Sequence, residues 1–336
     1  MEVSIKRFKE IIDRYNEVKI AVIGDIVADI YIYGKPFKLS REAPVLVVRH
    51  DGEKVLPGSA GNTIHNLSRL GVRVFPLVVV GDDEAGRLLL SRLSAMNIDR
   101  EGIIVVEGRS TTTKTRIMAG DDHTSKQQVI RIDREIRESL PEKVGKRMMG
   151  YLDRIATQVD ALIVSDYGYN LITPTLLERI KAISANKAVV VDSRYRLHLF
   201  SGFTAITPNE SEAEAISQSS IANGKDAIRV GKRLVEELDL KAVLITRGNS
   251  GMVLVERSGG TSEIPICGSD DITDVTGAGD TVTAVFTLSL AAGASFYEAA
   301  RLSNYAGAVV VMKSGTATAS PEELIHVIEQ EYKTRS

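Results

Sequence analysis

Apolar residues along this chain recur in two rhythms. Lys19-Ile20-Ala21-Val22-Ile23-Gly24-Asp25 is an unbroken apolar run that closes on a glycine turn, the form of a strand buried on both faces of a parallel sheet. The form returns at Phe75 to Val80, at Ala161 to Val164 before Ser165-Asp166-Tyr167, and at Lys187 to Val191 before Asp192. Ala205-Ile206-Thr207 and Ala242 to Ile245 repeat it before Pro208 and before Thr246-Arg247-Gly248. Helix-length segments separate these runs, which predicts an α/β fold: a central, mostly parallel sheet with helices on both faces. Two stretches break the rhythm. Tyr31 to Pro57, punctuated by Pro36, Pro44 and Gly52, and Thr111 to Asp133 read as extended, hairpin-like strands,. Together they can build one small sheet. The simplest organisation is one domain over residues 1–336, with the small sheet drawn from about 30–57 and 103–133.

Composition narrows the class. A chain of 336 residues with 43% hydrophobic content can bury a large core without disulfides,. Its net charge of -2 offers no electrostatic case for nucleic acid,. A single cysteine, Cys267, fits a reducing cytoplasm and reads as a small apolar residue,. The N-terminal stretch is charged and helix-like, and no segment has the length of a signal peptide core or a membrane span,. The expectation is a soluble, cytoplasmic protein without a membrane partner.

The chemistry concentrates in Asp274-Val275-Thr276-Gly277-Ala278-Gly279-Asp280, which opens into the small, apolar run Thr281 to Ala292. Glycines there let a backbone approach a ligand closely. At the start of a helix, free N–H groups and the helix dipole converge on one point suited to phosphate. Asp280 sits at the same mouth, where a carboxylate can take a proton from a hydroxyl; a plain helix cap uses the same residue type. The lysine ending of a P-loop and the third glycine of a dinucleotide fingerprint are both missing, which argues against an NAD-dependent oxidoreductase,. Asp29 follows the first strand, where a carboxylate faces the crevice of an open α/β sheet. Gly58-Ser59-Ala60-Gly61-Asn62 opens an amphipathic helix through Ile64, Leu67 and Leu70. Asn209-Glu210-Ser211-Glu212 follows another strand and reads either as metal support or as a helix start,.

The motif Asp-x-Thr-Gly-Ala-Gly-Asp with its small, apolar helix resembles the C-terminal signature of the ribokinase (PfkB) family of carbohydrate kinases. That resemblance implies a ribokinase-like fold with a small β-sheet lid over a sugar site, and often a homodimer through that lid. It implies transfer of the γ-phosphoryl group of ATP to a sugar hydroxyl, with Asp280 as base and Gly277, Ala278 and Gly279 as the anion cradle. Asp29, Gly58 and Asn62 match the sugar-binding positions, though Ser59 replaces a second glycine. Asn209 and Glu212 match residues that order water around Mg²⁺. Asp274 and Thr276 match positions that bind a monovalent cation such as K⁺. Thr246, Gly248, Gly251 and Asn304 match the nucleotide side.

Further segments resemble the subgroup that phosphorylates heptose 7-phosphate to the 1,7-bisphosphate: Arg41-Glu42-Ala43-Pro44-Val45, Thr113-Lys114-Thr115-Arg116, Ile130-Arg131-Ile132-Asp133 and Ser165-Asp166-Tyr167-Gly168. Lys114, Arg116 and Arg194 are the cations available for a sugar phosphate. Two departures stand out. Tyr169-Asn170 replaces the subgroup's Lys-Gly, and Asp192-Ser193-Arg194 replaces Asp-Pro-Lys. A kinase for another sugar, sugar phosphate or nucleoside, and a catalytically silent sugar-binding protein, are the alternatives.

Overall fold

The structure is a computed structural model that describes residues 3–120, 126–267 and 273–335. Among them, thirteen strands form two sheets. The central sheet contains β1 (Lys19–Gly24), β4 (Arg73–Gly81), β5 (Ile103–Val106), β8 (Ala161–Asp166), β9 (Ala188–Ser193), β10 (Ala205–Ile206), β11 (Ala242–Thr246), β12 (Met252–Glu256) and β13 (Thr261–Ile264). Its order is β13-β12-β11-β10-β9-β8-β1-β4-β5. Every pairing from β11 to β5 is parallel, and β12 and β13 extend the far edge as an antiparallel meander.

The unbroken apolar runs are explained by burial on both faces. Within β1, Ala21 and Ile23 pack with Met148 and Leu152 of one helix layer, whereas Ile20 and Val22 pack with Ile64, Val285 and Leu302 of the other. Alternate side chains thus feed opposite layers, so neither face can be polar. The helix Ala278–Ala291 is enclosed on all sides from Asp280 to Ser289. Its threonines fit there because Thr281, Thr283 and Thr287 donate to the carbonyls of Gly277, Gly279 and Thr283, four residues back,.

The second sheet holds β2 (Ile26–Leu39), β3 (Leu46–Ser59), β6 (Thr113–Ala119) and β7 (Gln127–Arg134), in the order β3-β2-β6-β7. Parallel pairing of β2 with β6 sets Asp29 opposite Lys114 and Tyr31 opposite Arg116. Period-two geometry puts these four on one face, and all are buried,. β7 is exposed along its whole length. The small sheet exceeds the 30–57 range at both ends, beginning at Ile26 and ending at Ser59. The 103–133 range starts too early. Ile103–Val106 is the edge of the central sheet, parallel to β4, because Ile103, Ile104 and Val106 bury against the main core. Residues 121–125 of that range lie outside the described residues.

Candidate active site

Asp280 stands in the first turn of the Ala278–Ala291 helix, and Gly277 caps that helix in the left-handed region at φ 81°. A Cβ on Gly277 would lie 2.3 Å from Asn62 Nδ2, so conformation and space both require glycine there. Asn62 Nδ2 donates to Asp280 Oδ2 at 3.0 Å and to the Gly277 carbonyl at 3.1 Å. The Tyr167 hydroxyl donates to the other carboxylate oxygen at 3.2 Å. Burial nevertheless pushes the Asp280 carboxyl up to about 7, against those two hydrogen bonds and with Asp29 adding to the rise,. A carboxyl near neutrality is matched to general-base work at physiological pH.

Asp29, Gly58, Lys114 and Arg116, expected on the sugar side, come from the small sheet. Asp29 is buried and accepts from Arg116 Nη1 at 2.5 Å. Burial pushes its carboxyl up while Arg116 and Lys114 oppose the rise. Gly58 is needed beside it, since a Cβ there would lie 2.1 Å from Asp29 Oδ2. Lys114 Nζ lies 5.3 Å from the centroid of the Tyr167 ring, and burial lowers its ammonium group. Arg194 is exposed at the rim, its guanidinium 5.7 Å from the Tyr195 ring centroid. Among the described cations, Arg116 and Arg196 are taken up in ion pairs with Asp29 and Asp166, while Lys114 and Arg194 lean on tyrosine rings.

Both sequence departures have structural counterparts. Asn170 adopts φ 66°, and asparagine is the residue that tolerates the left-handed region best after glycine. Ser193 Oγ donates to the buried Asp166 at 2.7 Å, a bond that proline cannot make. Ser59, in place of the second glycine, is held at φ 55°, ψ -127° without a capping hydrogen bond, a strained conformation for any residue with a side chain.

On the other side of Asp280 lies an open cleft. Thr246, Gly248, Gly251 and Asn304 all line it, with Ala278 and Gly279 of the helix mouth. Asn304 Nδ2 also holds the Pro265 carbonyl at 2.8 Å. Cys267 is half-buried at the same wall rather than fully enclosed. Asn209 and Glu212 form a reciprocal capping box at the helix Glu210–Ser217, each side chain accepting from the other's amide at 2.9 Å. Desolvation still raises the Glu212 carboxyl, and Asp192 is raised by burial and then by the charges of Asp280 and Glu212. Carboxylates that repel one another mark a place where a cation relieves the strain. Among the described residues no group of three or more His, Cys, Asp or Glu could hold a metal directly. Asp274 accepts from the amides of Thr276 and Gly315 at 2.9 Å each. Burial opposes its charge, yet those hydrogen bonds keep its carboxyl below the usual range.

Two functional features escape a reading of the sequence. One is Tyr167, which touches Asp280 directly; its place at the C-terminal end of a parallel strand was the available signal. The other is the buried pair Asp25 and Asp166 beneath it, with the half-buried Arg196. Arg196 pairs with both oxygens of Asp166, and Asp25 Oδ2 accepts from the Tyr167 and Tyr169 amides at 2.9 and 3.1 Å.

A three-layer α/β core, a small sheet over a crevice and a buried carboxylate between two clefts define a ribokinase-type architecture. It superposes on ribokinase of Arabidopsis thaliana complexed with ribose and ATP at a TM-score of 0.72 and 16% identity, covering 93% of this chain and 99% of that one. Phosphofructokinase-2 of Escherichia coli in complex with substrates and products gives 0.75 and 18% over the same shares. In sequence, residues 18–323 match the pfkB family carbohydrate kinases. The bifunctional protein HldE of Geobacter sulfurreducens is 42% identical over 307 residues, 90% of this chain and 61% of that protein. HldE of Geobacter metallireducens is 38% identical over 323 residues, 95% of this chain and 65% of that protein. The chain thus spans under two thirds of the length of these relatives. It belongs to the pfkB family of carbohydrate kinases and is a phosphotransferase acting on a sugar hydroxyl. No described helix is long and apolar enough to cross a membrane.

Proposed function

We propose that the chain transfers the γ-phosphoryl group of ATP to the anomeric hydroxyl of D-glycero-β-D-manno-heptose 7-phosphate, giving the 1,7-bisphosphate. One observation carries the reading. Lys114 and Arg194, cations outside the local ion pairs, flank the crevice that ends on Asp280. An acceptor that already bears a distal phosphate matches that charge, and similarity to HldE supports the same acceptor. In this reading Asp29 orients sugar hydroxyls, with Arg116 paired to it and favouring its ionised form rather than meeting the phosphate. Asp280 takes the proton of the attacking hydroxyl. The amides of Gly277, Ala278 and Gly279 meet the transferred group at the helix mouth. The nucleotide occupies the cleft of Thr246, Gly248, Gly251 and Asn304.

Asn209 and Glu212 suit water-mediated support of a divalent cation that is carried mainly by the nucleotide. Mg²⁺ in that place neutralises charge on the polyphosphate. The ionised Asp274, beside Thr276, suits a monovalent cation such as K⁺. Exposed Phe37, Leu39, Leu46, Val129, Ile130 and Ile132 on the small sheet suit a homodimer joined through it,.

The test is product formation with MgATP across a panel of sugars and sugar phosphates, for the parent and for Lys114→Ala. Charge-assisted contacts are worth about 1.5–3 kcal/mol. Lys114→Ala therefore raises KM for heptose 7-phosphate by roughly tenfold or more and leaves ATP affinity unchanged. A parent that prefers unphosphorylated sugar, with a preference the substitution does not move, removes the heptose-phosphate reading.

A further inference from the structure

We propose that Tyr167 is a positioning residue for phosphoryl transfer: its hydroxyl holds Asp280 Oδ1, and the loop that carries it is fastened by Asp25. The inference rests on Asp280 being the base. Asp280 is gripped at both oxygens, by Asn62 from the helix Ala60–Arg69 at 3.0 Å and by Tyr167 at 3.2 Å from the turn after β8. Asn62 is itself anchored, because Asn66 Nδ2 donates to its carbonyl at 3.0 Å. Tyr167 has no such helix beneath it. Its turn runs through Gly168 at φ 77° and Asn170 at φ 66°, and its anchor is the buried Asp25 carboxylate, one oxygen of which accepts both the Tyr167 and Tyr169 amides.

Lys114 lies over the Tyr167 ring and couples the same side chain to the acceptor-side cations. The charged and titratable groups that face Asp280 are Asp29 from β2, Lys114 from β6, Tyr167 after β8 and Asp192 from β9. Of these, only Tyr167 donates a hydrogen bond to it. A donor to a carboxylate stabilises the ionised form. The hydroxyl therefore orients the base and favours its ionised form against the surrounding burial,. Asp25 acts one step further back, by holding the hydroxyl where it is.

The experiment compares pH profiles of kcat and kcat/KM for the parent, Tyr167→Phe, Asp25→Asn, Asp25→Ala and Asp280→Asn. The acceptor is whichever sugar or sugar phosphate the parent turns over with MgATP. Any titration of the acceptor is common to all five and cancels in the comparison. Tyr167→Phe keeps the ring under Lys114 and loses only the donor. Its acid limb moves up by about one pH unit, so activity at pH 7 falls roughly fivefold and recovers at higher pH. Asp25→Asn keeps an oxygen for both amides and retains the parent limb, whereas Asp25→Ala reproduces the Tyr167→Phe limb. A Tyr167→Phe limb that stays in place, with activity lowered evenly at all pH values, overturns the inference. So does an Asp25→Ala protein that keeps the parent limb. Near-normal turnover by Asp280→Asn sinks the base assignment instead, a result separable from the other two.

Discussion

Replacing Asp280 by asparagine is expected to stabilise the protein while silencing it. The carboxyl is 5% exposed, and burial lifts it from 3.8 to about 7. In the unfolded chain it loses its proton near the lower value, and in the folded protein near the higher one. Between them the folded state binds more protons, so stability falls as pH rises from about 4 to 7 and stays reduced above. At ~1.4 kcal/mol per pH unit, the difference amounts to about 4 kcal/mol. That figure is the ceiling for relief by a neutral side chain. Asparagine is isosteric, and its amide group can donate to the Tyr167 hydroxyl, which accepts as readily as it donates. Burying an amide costs about 1–3 kcal/mol itself, which leaves a gain of about 2 kcal/mol at pH 8. For a chain of this length the gain corresponds to a Tm higher by roughly 3 °C. Thermal melts at pH 5 and pH 8 provide the assay, with the advantage over the parent largest at pH 8. Turnover falls by roughly 10²-fold or more, because an amide cannot take a proton. Equal melts at pH 8 would refute the burial argument, and turnover close to the parent's would refute the base.

Two other substitutions separate geometry from stability. Gly279→Val should leave Tm almost unchanged, since a Cβ at 279 meets nothing within 4 Å, yet lower turnover by about 10²–10³ by intruding where amides approach the phosphoryl group; a collapsed melt with a matching loss of activity would make the glycine structural. Ser59→Gly should raise stability by about 1 kcal/mol, since glycine adopts φ 55°, ψ -127° without strain,; a Tm equal to or below the parent's would show that the serine is not strained.

Local chemistry made the central sheet legible. Lys19 to Asp25 could only be a strand buried on both faces, and β1 is that strand, because alternate residues feed two helix layers. The mouth of the Ala278–Ala291 helix was equally plain, since a glycine cap, free amides and an acidic residue lie within a few positions. Short-range signals failed where residues distant in sequence choose partners. Arg116 read as a cation open to a sugar phosphate, but the parallel register of β2 on β6 brings it to Asp29, 87 positions away. Asn209-x-x-Glu212 carried two readings, and the fold closes the pair into a capping box without removing the carboxylate from the site. Ile103–Val106 resembles its lid neighbours in composition, and only the vacancy at the β4 edge assigns it to the central sheet. Tyr167 was marked only by its place after a parallel strand, and nothing local linked it to Asp280,. The sequence by itself determined most of the elements and the family, and marked Asp280 as the candidate base, because periodicity and turn chemistry act between neighbours. Which charges pair and which hydroxyl grips Asp280 was decided by tertiary structure, because burial makes an unpaired polar group costly and the register of remote strands selects its partner.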